Sequence, residues 1–141
     1  MTCVPRPHET VVRTPAELFT VWEGLMGPAG FGMFSLWLIF FDSDGRLQPV
    51  ISPIDDIPPV PDRGLLRGVA GVVEDLIATG TVASVAMLLS RPGPPDMTPA
   101  DREWARALRR ELGADLCRWP IHLATHGRVQ IFAPDDLIGA A

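Results

Sequence analysis

At 141 residues the chain has the length of one domain, enough to bury a core without disulfide or metal staples. Hydrophobic residues make up 47% of it, which excludes an intrinsically disordered chain. A net charge of −5 and a pI near 5.0 argue against a nucleic-acid binder, which needs a basic face.

All 12 basic residues are Arg, and Lys, Tyr and Asn are absent; this pattern fits the codon bias of a GC-rich genome better than a function. Cys3 and Cys117 belong to no Cys-x-x-Cys pair. Two free thiols in a reducing compartment are the first reading, and one disulfide from tail to body is the other. Met1 to His8 holds no apolar run of signal-peptide type. The longest apolar run, Phe31 to Phe41, is about half of what a membrane-spanning helix needs. These features predict a cytoplasmic protein with neither a membrane nor a nucleic acid as partner.

Residues 1–13 read as a flexible N-terminal segment. Thr14-Pro15-Ala16-Glu17 then opens a helix: Thr caps it, Pro suits its first position, and Glu reaches back to close the box. Gly27-Pro28 ends it, and residues 27–32 form a Gly-rich connector. Phe34 to Phe41 reads as a strand buried on both faces, Asp42-Ser43-Asp44-Gly45 as a hairpin turn, and Arg46 to Ile51 as the returning strand. Pro49 and Pro53 put that strand at an edge or in a bulge.

Asp62 caps a second helix, about Arg63 to Thr79. Ser84 to Leu89 is a further buried strand, and Arg91 to Asp96 a loop. Thr98-Pro99-Ala100-Asp101 repeats the capping signal and opens a third helix to about Leu112. Ile121 to Ala124 and Arg128 to Phe132 make a last hairpin about His126-Gly127, with a short tail from Pro134. The order predicts a single α/β domain, a mixed β-sheet with flanking helices.

Leu36 to Leu137 resembles the RadC-type branch of the JAB/MPN (JAMM) metalloprotease-like domains. The hairpin Leu36-Trp-Leu-Ile-Phe-Phe-Asp-Ser-Asp-Gly-Arg-Leu47 is similar to the family's opening strands. Ser84 to Pro92, after a long helix, is similar to its metal strand, and Thr98-Pro-Ala-Asp-Arg-Glu103 to its Ser-x-x-Asp helix start. Ile121 to Phe132 resembles the closing hairpin, with His122 near a His that the family often shows. The resemblance implies a cytidine-deaminase-like sheet in a bacterial protein.

Catalytic members bind zinc through His-x-His-Pro and a later Asp, with a Glu as general base. Here that stretch reads Leu89-Ser90-Arg91-Pro92, so Leu89 and Arg91 replace the histidines and Asp101 alone survives as a ligand. No Glu occurs between Gln48 and Ile54, where the base is expected. The resemblance therefore implies a catalytically inactive domain, with no metal and no cofactor, that serves as a protein-interaction or scaffold module. The alternative is an enzyme or small-ligand-binding domain with a rebuilt pocket around Arg91, Asp101 and His122.

Other residues have ordinary readings beside functional ones. Asp101 is also the third helical position after a Thr cap, where capping alone accounts for it. His122 and His126 are four apart, a chelating interval on a helix, but on a strand that spacing separates them by about 13 Å. Asp55-Asp56 and Asp135-Asp136 are carboxylate pairs placed as turn and cap residues are. Ser84 and Ser90 sit in no nucleophile elbow.

Arg102, Arg106, Arg109 and Arg110 line one face of the third helix, and like charges at this spacing cost a few tenths of a kcal/mol each, roughly. The second helix carries Gly64, Gly68 and Gly71, each costing about 1 kcal/mol against Ala in a helix interior. With four Trp and no Tyr, these features predict an interaction surface and a homodimer or other protein partner.

Overall fold

Thr14 starts the first helix as its sequence dictates. In the computed structural model its hydroxyl accepts from the Glu17 amide and the Glu17 carboxylate accepts from the Thr14 amide, opening α1 (Pro15–Met26). The structure describes residues 6–27 and 31–133. Cys3, the middle of the Gly-rich connector and the Asp135-Asp136 tail lie outside the described residues.

β1 (Ser35–Phe41) and β2 (Leu47–Ile54) form the expected hairpin, with β2 running three residues past its predicted end. The two prolines mean what they should: β2 is an edge strand, and its register against β1 shifts between Ile39 and Phe41. Gly45 makes the turn at φ +83, and a Cβ there would lie 2.6 Å from the Val12 carbonyl oxygen. That contact reveals a correction. Residues 8–12, part of the segment expected to be flexible, are tied to the hairpin: His8 N–H donates to Leu47 O, Leu47 N–H to Thr10 O, and Val12 N–H to Gly45 O. Val12 is buried, so apolar burial holds what the local sequence leaves open.

α2 (Arg63–Ala78) begins at its Asp62 cap, and β3 (Ser84–Ser90) follows, buried along its whole length. α3 (Pro99–Leu116) overruns the expected end, but Gly113 at φ 79 breaks it just after Leu112. β4 (His122–Thr125) and β5 (Arg128–Ile131) close the chain as a hairpin whose turn uses Gly127 at φ +71.

The sheet order is β2-β1-β3-β4-β5, with β3 and β4 parallel and every other neighbour antiparallel. This is a single α/β domain with a five-stranded mixed sheet. The crossovers through α2 and α3 set both helices on one face, where Leu38, Phe40, Val73, Met87, Trp104 and Leu123 pack together. α1 covers the other face, against Ile39, Phe41, Leu88 and Ala124. Side chains alternate across the sheet, so each strand residue is assigned to one helix layer or the other. Among the described residues no helix is long and apolar enough to cross a membrane.

Candidate functional site

The end of β3 and the start of α3 meet at Arg91 and Asp101. Arg91 Nε donates to both carboxylate oxygens (2.8 and 3.0 Å), and an Nη2 hydrogen goes to Oδ2 at 2.8 Å. The remaining guanidinium hydrogens go to the carbonyls of Pro92, Pro94 and Asp96. A guanidinium has five N–H donors, and this arrangement uses them all. Asp101 is wholly buried, and Oδ2 also accepts the Thr98 amide at 2.8 Å, completing a capping box.

The loop between them contains Pro92, Pro94 and Pro95, so much of it has carbonyls but no amide hydrogens. Arg91 supplies donors to three of those carbonyls, and Gln130 on β5 donates to a fourth, that of Pro95. The Thr98 hydroxyl accepts from the Asp101 amide. Thr98→Ala is therefore expected to lower stability by about 1 kcal/mol, read as a lower urea midpoint with unchanged slope.

The three residues of the expected pocket do not come together. His122 pairs in register with Leu88, on the face covered by α1, and its ring lies 6.0 Å from that of Phe19 and 6.5 Å from that of Trp22. Arg91 and Asp101 belong to the α3 side of the sheet. Strand alternation, invisible without the β3–β4 register, separates them. The rebuilt pocket is thus corrected to a saturated ion pair on one face and a buried histidine on the other. His122 Nδ1 faces the Pro120 carbonyl at 3.2 Å and so carries the hydrogen, while Nε2 is buried without a partner. Burial lowers its pKa from 6.5 to about 4, against a smaller opposing effect of the Pro120 carbonyl. His126 stands exposed in the β4–β5 turn, and the two histidines do not share a site.

Asp55, Ser84 and Ser90 are engaged within the fold. Asp55 accepts from the Ser35 hydroxyl at 2.9 Å, and Asp56 takes a left-handed turn conformation at φ 58. Ser90 and Ser84 accept the indole N–H groups of Trp37 and Trp119, and Trp104 donates to the Pro58 carbonyl. Trp22 and Trp104 are fully buried, so the tryptophans give no support to an exposed interface. Cys117 is a half-buried free thiol whose pKa burial raises.

The arginines of α3 border two different grooves. Arg106 and Arg110 line a groove of ≈ 500 Å³ with Arg63, Glu103 and Glu111. Arg109 lines a second groove with Arg118 and Cys117. Arg102 and Arg106 are engaged with neighbours in the chain, so the expected row of unpaired charges is corrected there. Among the described residues no three of His, Cys, Asp and Glu stand together as metal ligands. No family model matches the chain, and no curated protein or solved structure is detectably similar to it.

Proposed function

We propose that this chain is a catalytically inactive JAB/MPN-like domain of the cytoplasm that works as a protein-interaction or scaffold module. The Arg91–Asp101 pair carries the reading. Arg91 stands where the resemblance places a metal histidine, Asp101 where it places a metal aspartate, and the two side chains turn towards each other as ligands of one centre would. The order of elements also supports it: an opening hairpin, a helix, a central strand that leads directly into Arg91, a capped helix and a closing hairpin.

The residues do not fit zinc. Both Asp101 oxygens already face a fixed cation, Leu89 offers no lone pair, and His122 lies across the sheet. A zinc centre of this class needs three protein ligands at one point. Ser84 and Ser90 serve as indole acceptors. A role in binding another protein is then the use that remains for a well-packed scaffold.

Elemental analysis of untagged protein is expected to find no stoichiometric zinc, and a value near one per chain would overturn the inactive reading. The complementary variant carries Leu89→His and Arg91→His, which restores His-x-His beside Asp101. This double variant should take up one equivalent of cobalt with a tetrahedral visible spectrum. If it folds, by circular dichroism, and binds no cobalt, the JAB/MPN geometry is wrong.

A further inference from the structure

We infer that the chain pairs with a second copy of itself through α2, packed antiparallel about residues 70 and 71. This names the partner of the interaction module proposed above and rests on that reading. α2 is built against its local preferences. Arg63 stands in its first turn and Asp75 in its last, the reverse of what the helix dipole favours, with Arg67 and Glu74 between them. Arg63 and Arg67 are also like charges four residues apart. None of the four side chains makes an ion pair or hydrogen bond with another described residue.

An antiparallel copy resolves the pattern. Arg67 and Glu74 are seven residues apart and share one flank of the helix. A two-fold axis between residues 70 and 71 brings Arg67 of one copy level with Glu74 of the second copy and beside its Asp75, and does so twice. A parallel two-fold pair would instead turn the charged flank of each copy against the apolar flank of the other. The charge pattern is therefore self-complementary in one orientation.

The other flank of α2 is apolar. Val72 is 50% exposed and borders an open groove of ≈ 390 Å³ lined by Leu38, Ser52, Ile54, Leu65 and Val69. Beyond it β2 exposes Val50 on the same face. The same axis sets Val72 against its own copy and closes the mouth of the groove. Gly68 and Gly71 lie between the two flanks, and a Cβ at either would meet nothing within 4 Å in the chain itself. The fold does not require them to be glycine, whereas two backbones approaching at the short end of the usual ~8–10 Å helix separation do.

Length is sufficient as well: the 16 residues of α2 span about 24 Å, and β2 runs alongside, a face able to supply the ~800 Å² per partner of a standard interface. Edge-to-edge pairing of sheets is blocked by Pro49 and Pro53 on β2, by residues 8–10 lying over Leu47, and by the four-residue length of β5.

Light scattering behind size exclusion at micromolar concentration should give twice the 15.3 kDa chain mass. Arg67→Glu should raise the dissociation constant about ten-fold or more. Adding Glu74→Arg and Asp75→Arg to that variant reverses the charges that meet across the axis and should restore pairing. Gly71→Leu should yield a folded monomer, since space for the side chain exists in the single chain. A wild-type monomer overturns the inference and leaves the inactive-domain reading to its zinc test. A dimer indifferent to Arg67→Glu and Gly71→Leu, or a reversed pattern that fails to restore pairing, overturns it equally.

Discussion

Asp101→Ala is expected to cost about 3–5 kcal/mol, a large share of the roughly 5–15 kcal/mol by which a domain is stable. The carboxylate is wholly buried, and its partner Arg91 keeps only 11% of its side chain exposed. Removing the carboxylate leaves Arg91 Nε and one Nη2 hydrogen without their acceptor in a site that water barely reaches. The capping contact to the Thr98 amide goes with it. The size of the effect decides between two roles. If Asp101 only caps α3, as its place in the sequence suffices to explain, the loss is about 1 kcal/mol, as for Thr98→Ala. Urea unfolding of both variants makes the comparison, and equal shifts would show the ion pair to contribute nothing. Replacing Arg91 and Asp101 together by Leu should cost much less than the two single losses combined, because no lone charge is then stranded.

Acidification should destabilise the protein through His122. The native ring stays neutral down to about pH 4, whereas in the unfolded chain it protonates near 6.5. Within that window the unfolded state binds the additional proton. Stability is therefore full above pH 6.5 and declines as the pH falls towards 4, by up to about 3 kcal/mol from this group. The cause is local: the ring packs against Phe19 and Trp22, and its charged form would need a second acceptor at Nε2, where none is present. His122→Phe keeps an aromatic ring against α1 and should flatten the dependence of the urea midpoint across the same window. Parallel decline of wild type and variant would locate the acid sensitivity elsewhere.

What the sequence discloses and what it hides follow from the range of each interaction. The boxes at Thr14 and Thr98 close within three residues, so four letters suffice to place both helix starts. Pro49 and Pro53 reveal an edge strand because a missing N–H is a property of the residue itself. The true length of β2 is less visible, since Ser52 to Ile54 are held in the strand by Leu38 to Leu36 on the neighbouring one. The site suffered most from this limit. Asp101 and His122 are close in chain order, yet the parallel pairing of Leu88 with His122 turns the ring towards α1. The saturation of Arg91 was equally hidden, because three of its acceptors are carbonyls whose direction only the folded loop determines. The reversed charges of α2 were legible all along; what the fold adds is which flank each charge occupies.

The guanidinium of Arg91 has a consequence for how the molecule opens. A surface loop holding Pro92, Gly93, Pro94 and Pro95 would ordinarily let the helix after it fray independently of the strand before it. Here one side chain grips the loop at Pro92, Pro94 and Asp96 and the helix at Asp101. The end of β3, the loop and the first turn of α3 are thereby joined into one cooperative unit. Opening any part of it breaks the same set of bonds, so the loop's exchange of amide hydrogens and its exposure to proteases are governed by the core rather than by its own composition.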